Sequence, residues 1–134
     1  MAVVKEGVLP LRSSEDIVRV RQAVREQAIA QGFSLVDQTK LVTAASELAR
    51  NTWIYGGGGE MQYEALVEGN RRGLRLTFVD HGPGIADIEQ ALRDGFTSGG
   101  GLGLGLGGAK RLSNEFTISS QPGAGTRISI TRWH

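Results

Sequence analysis

Hydrophobic residues recur at helical spacing in the first third of the chain. An N-cap signal, Ser13-Ser-Glu-Asp16, precedes them with two acidic residues in the first turn, and Gly32 follows them. Side chains three and four residues apart lie on one face of a helix, so this pattern predicts an amphipathic helix over residues 14–31. Its hydrophobic positions are Ile17, Val20, Val24 and Ala28.

A second helical pattern begins after Ser34 and ends at four consecutive glycines, residues 56–59. Glycine destabilises a helix interior, so this run predicts that the helix stops near Tyr55. Glu47 and Asn51 belong to this second helix. Its inward positions are predicted to be Leu41, Ala44, Ala45, Leu48 and Thr52.

The second half of the chain changes to the alternation that is typical of β-strands. Two hairpins are predicted around the turn-forming segments 69–73 and 121–125. They pair residues 61–67 with 74–78, and residues 116–120 with 126–133. Two shorter helices are predicted over residues 87–94 and from Leu104 to Leu112. The sum of these elements predicts an α+β fold, a two-layer sandwich of helices on a sheet.

Composition restricts the class of protein further. A chain of 134 residues fits one domain, residues 1–134, with one hydrophobic core. Lys and Arg number 15 against 14 Asp and Glu, which gives no support for binding to nucleic acid or to an anionic membrane. Cysteine is absent, which excludes disulfides and thiolate sites. With neither a signal peptide nor an apolar run of about 18 residues in this sequence, we expect a cytoplasmic protein.

Glu47 and Asn51 are the first candidate functional residues. They are four residues apart and therefore project from the same side of the second helix. Asn is a poor residue for a helix interior, and its amide oxygen is a ligand that Mg²⁺ accepts together with nucleotide phosphates. Glu47 is placed to orient or deprotonate an attacking hydroxyl group. The alternative for this pair by itself is a solvated helix surface.

Asp80 is the second candidate, because it ends a hydrophobic strand and leads into His81-Gly-Pro-Gly84. A carboxylate accepts hydrogen bonds, so it favours the amino group of adenine over a base that presents a carbonyl there. Gly82 and Gly84 allow the backbone to approach such a ring. An ordinary strand-to-loop turn is the alternative.

The third candidate is a glycine-rich run in which seven of the ten residues from 99 to 108 are glycine. It matches G-x-G-x-x-G from Gly103 to Gly108, but no strand is predicted directly before it, so the dinucleotide-binding fingerprint lacks its context. The sequence also lacks the Gly-Lys-Ser/Thr of a P-loop. A loop that enters a helix near Leu104 offers free N–H groups for phosphate oxygens. A flexible linker is the alternative.

Taken in order, these motifs resemble the GHKL superfamily of ATPases and kinases, whose members include DNA gyrase, Hsp90, MutL and histidine kinases. Residues 47–51 resemble the N-box of this superfamily, and Asp80-x-Gly-x-Gly84 its adenine-reading box. Gly101-x-Gly-x-Gly105 resembles the box at the end of the lid, and Gly123-Ala-Gly-Thr126 the last element. The resemblance implies a Bergerat fold, with a mixed, mostly antiparallel sheet covered by helices on one face.

The resemblance also implies the cofactors, ATP and Mg²⁺, and a role for each motif. Asn51 ligates Mg²⁺, Glu47 is the general base, Asp80 reads the adenine amino group, and Thr126 supports the base through its hydroxyl. A mobile lid covers the nucleotide between Pro83 and Gly101. The implied nucleotide-binding residues also include Gly82, Gly84, Gly99, Gly100, Gly101, Leu102, Gly103, Leu104 and Gly105.

The length of the chain is similar to that of stand-alone serine/threonine-protein kinases of bacterial partner-switching pathways. The residues of its motifs, such as Ser46-Glu-Leu-Ala-Arg-Asn51 and Asp94-Gly-Phe96, most resemble those of the switch kinases of the stressosome. This resemblance implies a STAS-domain protein as substrate and a downstream effector, such as a PP2C-type phosphatase. Two alternatives stay open: an anti-sigma factor that is also a kinase, and a nucleotide-gated binding module with little catalysis. The sequence does not indicate the oligomeric state.

Overall fold

The computed structural model describes residues 1–85 and 105–134. Two long helices follow an N-terminal strand, and two hairpins with a short third helix between them complete the described part. The elements in chain order are β1 Ala2–Leu11, α1 Ser14–Ala30, α2 Leu35–Ile54, β2 Gly59–Glu68, β3 Arg71–Asp80, α3 Gly105–Arg111, β4 Glu115–Ser120 and β5 Thr126–Trp133.

Both long helices begin where the sequence predicts them. The Oγ atoms of Ser13 and Ser34 accept hydrogen bonds from the backbone N–H groups of Asp16 and Asp37, at 3.3 and 3.2 Å. These capping bonds serve N–H groups in the first turn, which no carbonyl four residues earlier in the helix can reach. The predicted bounds of α1 and α2 are therefore confirmed to within one residue at each end.

The five strands form one sheet in the order β1-β2-β3-β5-β4. All four pairings between these described strands are antiparallel. Both predicted hairpins are present, and the first is longer than expected because β2 and β3 are joined across Gly69 and Asn70. The α+β two-layer fold is confirmed; the resemblance implied a mixed, mostly antiparallel sheet, and the described strands form an antiparallel one.

Side chains that alternate along the strands build the core against the helices. In β3, Leu74, Leu76 and Phe78 are buried on one face of the sheet, while their neighbour Arg75 lies on the opposite face and is partly exposed. The helices contribute Val20, Val24, Leu41, Ala45 and Leu48, and α3 adds Leu106 and Ala109 to the same cluster. The core therefore joins all three described helices to one face of the sheet.

Strand β1 is an element that the sequence pattern did not predict. It lies at the edge of the sheet, pairs with β2, and has a register shift between Val3 and Lys5. Most of its residues are exposed, so it lacks the regular alternation of buried and polar positions. An edge strand also tolerates Pro10, which has no N–H group to donate to a neighbour.

Helix α3 is described from Gly105 to Arg111, and the predicted start at Leu104 lies outside the described residues. The helix predicted over residues 87–94 lies outside the described residues. Within residues 1–85 and 105–134, no helix has the length and hydropathy needed to cross a membrane.

Candidate nucleotide site

The carboxylate of Asp80 is held in a fixed orientation at the end of β3. Its Oδ1 atom accepts hydrogen bonds from the backbone N–H of Gly82 at 2.9 Å and from that of Thr126 at 3.2 Å. Within the described part of the chain, Oδ2 has no hydrogen-bond partner. Because a carboxylate oxygen is a pure acceptor, Oδ2 is available to a donor such as the exocyclic amino group of adenine.

The segment that follows α2 lies against Asp80. The backbone carbonyl of Asn51 accepts hydrogen bonds from the N–H groups of Tyr55 at 3.0 Å and Gly56 at 3.1 Å. Gly56 in turn lies directly against the carboxylate, since a Cβ atom there would stand 2.5 Å from Asp80 Oδ2. Gly56 therefore contacts Asp80 and donates its N–H to the backbone carbonyl of Asn51, although Asn51 and Asp80 are 29 positions apart in the sequence.

Glu47 lies on the same face of α2 as Asn51, one helical turn earlier. Both side chains are partly buried, and neither has a hydrogen-bond partner in the part of the chain that the structure describes. Together they offer carboxylate and amide oxygens, which are the ligands that Mg²⁺ prefers. The donor set therefore fits a Mg²⁺ ion that a nucleotide brings with its phosphates.

The loop after Asp80 is packed tightly against two other loops. Gly82 approaches the end of α2, where a Cβ atom would lie 2.6 Å from the carbonyl oxygen of Gly56. Gly84 has φ of 78°, in the left-handed region that favours glycine. A Cβ atom there would lie 2.7 Å from the carbonyl carbon of Gln121, in the turn between β4 and β5. Any side chain at these two glycines would push the loops apart.

Hydrogen bonds also join the loop after Asp80 to the β4–β5 turn. The N–H of Gly123 donates to the carbonyl of Pro83, and the N–H of Ile85 donates to Ser120 Oγ, both at 2.7 Å. Ser120 Oγ also lies 2.8 Å from Thr126 Oγ1. The backbone N–H of Thr126 thus holds Asp80 while its hydroxyl pairs with Ser120, and its predicted support of the base stays a prediction.

The predicted lid residues fall mostly outside the structure as described. Gly105, the last residue of the predicted lid-end box, is the first residue of α3. Leu106 and Ala109 then bury this helix in the core beside α2. The predicted phosphate-binding residues outside the described part are Gly99, Gly100, Gly101, Leu102, Gly103 and Leu104.

A separate cleft of about 480 Å³ opens beside the glycine loop that follows α2. Glu47, Asn51 and Asp80 do not line it, although Gly56 both lines the cleft and contacts Asp80. Its other walls are formed by Arg12, Trp53, Gly57, Gly58, Gly59, Glu60, Val79 and His81. The cleft therefore lies next to the candidate site, and the three candidate residues are not part of its walls.

Two residues that build the site belong to none of the predicted motifs. Gly56 follows the end of α2, as the glycine run predicts, and it also lies in close contact with Asp80. Ser120 ends β4, and its hydroxyl also joins three segments. The predicted second hairpin is the feature of the sequence that could have identified Ser120, because the pairing of β4 with β5 sets this residue opposite Thr126.

Comparison with known proteins agrees with this geometry. Residues 36–133 match the family of histidine kinase-, DNA gyrase B- and HSP90-like ATPases. The serine/threonine-protein kinase RsbT of Bacillus subtilis is 46% identical over 118 residues, which cover 88% of this chain and 89% of that protein. The anti-sigma F factor of Bacillus licheniformis is 31% identical over 130 residues, covering 91% and 86%.

The fold has a counterpart among solved structures as well. The RsbU and RsbW domains of a Mycobacterium tuberculosis protein superpose with a TM-score of 0.64 at 20% identity, covering 96% of this chain and 32% of that one. At this identity the likeness concerns the fold. With the sequence match over residues 36–133 and the relative at 46% identity, the chain belongs to the histidine kinase-, DNA gyrase B- and HSP90-like ATPase family, in its group of serine/threonine-protein kinases and anti-sigma factors.

Proposed function

We propose that this protein is a partner-switching kinase that transfers the γ-phosphate of ATP to a serine or threonine of a STAS-domain protein. One observation carries the proposal: Asp80 has one oxygen held by two backbone N–H groups and the other directed at the glycine that ends α2. These contacts support a role for Asp80 as the acceptor that reads adenine, beside the helix that carries Glu47 and Asn51. The 46% identity to a serine/threonine-protein kinase supports the same activity.

Each residue has a stated task in this reaction. Asp80 Oδ2 accepts a hydrogen bond from the adenine amino group and so fixes the base. Asn51 would hold Mg²⁺, which neutralises charge on the triphosphate when it is bound. The glycine-rich residues 99–105 would donate N–H groups to phosphate oxygens.

Glu47 acts on the protein substrate. Its carboxylate accepts the proton of the substrate hydroxyl while the hydroxyl oxygen forms a bond to the γ-phosphorus and ADP leaves. Positioning of the substrate hydroxyl and the γ-phosphate accounts for most of the rate acceleration, because phosphoryl transfer requires little covalent chemistry from the protein. We expect general-base assistance to contribute about 10²- to 10⁴-fold.

The proposed partners follow from the same group of relatives. The substrate would belong to a stressosome-like complex, and release from it would free the kinase to activate a downstream effector, such as a PP2C-type phosphatase. A second candidate function is sequestration of a sigma factor, because a relative at 31% identity is an anti-sigma F factor. A nucleotide-gated binding module with little turnover is a third.

Transfer of radiolabelled γ-phosphate to STAS-domain proteins from the same genome tests the proposal. Stoichiometric labelling of a serine or threonine is expected with Mg²⁺ present. ATP binding without labelling would contradict the kinase and favour the binding module. Co-purification with a sigma factor in place of a STAS-domain protein would favour the anti-sigma function.

Two variants separate the roles of the site residues. Glu47→Gln is expected to lower the transfer rate by about 10²- to 10⁴-fold while the dissociation constant for ATP stays unchanged. Asp80→Asn is expected to weaken ATP binding itself, because the amide presents a donor where the carboxylate accepts. Arg50→Ala is the matched control, since Arg50 is exposed on the same helix. Wild-type transfer by both site variants would refute the assignment.

A further inference from the structure

The hydroxyl of Ser120 connects three segments around the candidate base-binding residues. It lies within hydrogen-bond distance of three groups: the N–H of Ile85 at 2.7 Å, the carbonyl of Gly125 at 3.0 Å and Thr126 Oγ1 at 2.8 Å. Ser120 thereby joins the end of the loop that follows Asp80 to both strands of the second hairpin. None of the motifs in the sequence includes this serine.

The number of hydrogens at Ser120 fixes the direction of each bond. A serine hydroxyl has one hydrogen to donate and two lone pairs that accept. The carbonyl of Gly125 only accepts, so the hydrogen of Ser120 goes there. The N–H of Ile85 only donates, so it uses one lone pair. All three bonds form together when Thr126 donates its own hydroxyl hydrogen to the remaining lone pair.

The direction of the bond to Ser120 determines what Thr126 offers to a ligand. With its hydrogen committed to Ser120, Thr126 Oγ1 presents lone pairs and accepts hydrogen bonds. Thr126 pairs with Asp80 across the sheet, and its N–H donates to Asp80 Oδ1, so the two side chains lie next to each other. Both therefore present acceptors in the same region of the site.

We propose that Ser120 is a positioning and specificity-determining residue, which sets the Thr126 hydroxyl as an acceptor and so selects adenine over guanine. This inference rests on the proposed use of ATP. A base that carries an amino group at this position finds two acceptors. A base that carries a carbonyl at this position, as guanine does, brings an acceptor against the two acceptors of Asp80 and Thr126. In the Ser120→Ala variant the Thr126 hydroxyl is free to turn and donate to that carbonyl.

The test is the ratio of dissociation constants for GTP and ATP, measured by competition with a fluorescent ATP analogue in Mg²⁺. Ser120→Ala is expected to lower this ratio at least 5-fold, which corresponds to about 1 kcal/mol. Ser119→Ala is the matched control, because Ser119 is the exposed neighbour on the same strand. It is expected to keep the wild-type ratio.

A double-mutant cycle with Thr126→Val tests whether Ser120 acts through Thr126. The Ser120→Ala and Thr126→Val changes are expected to be non-additive, so that the double variant has the selectivity of Thr126→Val alone. Additive effects, or a wild-type ratio in a folded Ser120→Ala protein, would overturn the inference. If Ser120→Ala does not fold, a wild-type ratio in Thr126→Val overturns it equally.

The outcomes also distinguish this inference from the proposed function. A wild-type protein that does not bind ATP would refute both. A wild-type protein that binds ATP and transfers phosphate, together with unchanged selectivity in the variants, would refute the role of Ser120 and leave the kinase intact.

Discussion

Replacing Gly84 by alanine is the most direct test of how the loops of the site are held together. Gly84 and Gly123 have nearly the same φ, 78° and 79°, in the left-handed region. A Cβ atom at Gly84 would lie 2.7 Å from the carbonyl carbon of Gln121, whereas a Cβ atom at Gly123 would have no neighbour within 4 Å in the described part of the chain. Gly123→Ala is therefore a control that has the same unfavourable φ without the steric overlap.

The two variants are expected to differ by about 2 kcal/mol in the free energy of unfolding. Each costs about 1 kcal/mol because an L-residue is unfavourable in the left-handed region. Alanine at position 84 also has to separate the loop from the β4–β5 turn. That movement breaks the bonds from Gly123 N to Pro83 O and from Ile85 N to Ser120 Oγ. Each bond contributes about 1 kcal/mol.

Thermal unfolding and ATP binding report this difference. For a domain of this size about 1 kcal/mol corresponds to about 4 °C in Tm. We expect a decrease of about 4 °C for Gly123→Ala and about 12 °C for Gly84→Ala. ATP affinity should fall in Gly84→Ala, because Asp80 loses the loop that orients it. Equal Tm values and equal ATP affinities for the two variants would refute the packing argument.

Three further predictions concern Asp37, Gln31 and helix α3. Arg132 holds the pKa of Asp37 below its ordinary value through a 2.9 Å bond. The ionised carboxylate of Asp37 thus stabilises the fold at neutral pH, and this stabilisation is lost as the pH falls through the lowered pKa. The Asp37→Asn variant should therefore show a smaller difference in Tm between pH 7 and about pH 3 than the wild type. Gln31→Ala should destabilise the protein by about 1–3 kcal/mol in chemical denaturation, because Gln31 donates to the buried carbonyls of Leu66 and Gly73. ATP with Mg²⁺ should slow amide exchange in α3, whose glycines weaken the helix; unchanged exchange would contradict nucleotide-dependent ordering.

Much of the site was predicted from residue types and their order. A carboxylate and an amide four apart on a helix, and an Asp before two glycines, indicated the candidate residues because their chemistry is limited. The structure then set Gly56, just after the end of α2, against the carboxylate of Asp80, a contact that no spacing in the sequence indicates. It also paired the Thr126 hydroxyl with Ser120, which depends on the register of two strands.

The sequence by itself determined the long helices, the two hairpins and the residues that can carry chemistry. Local rules are sufficient for these features, because caps, glycine runs and hydrophobic period act over a few residues. The tertiary structure decided the position of β1, the order of the strands and the packing of the loops around Asp80. These features depend on contacts between distant segments, where van der Waals packing and the pairing of buried polar groups select one arrangement.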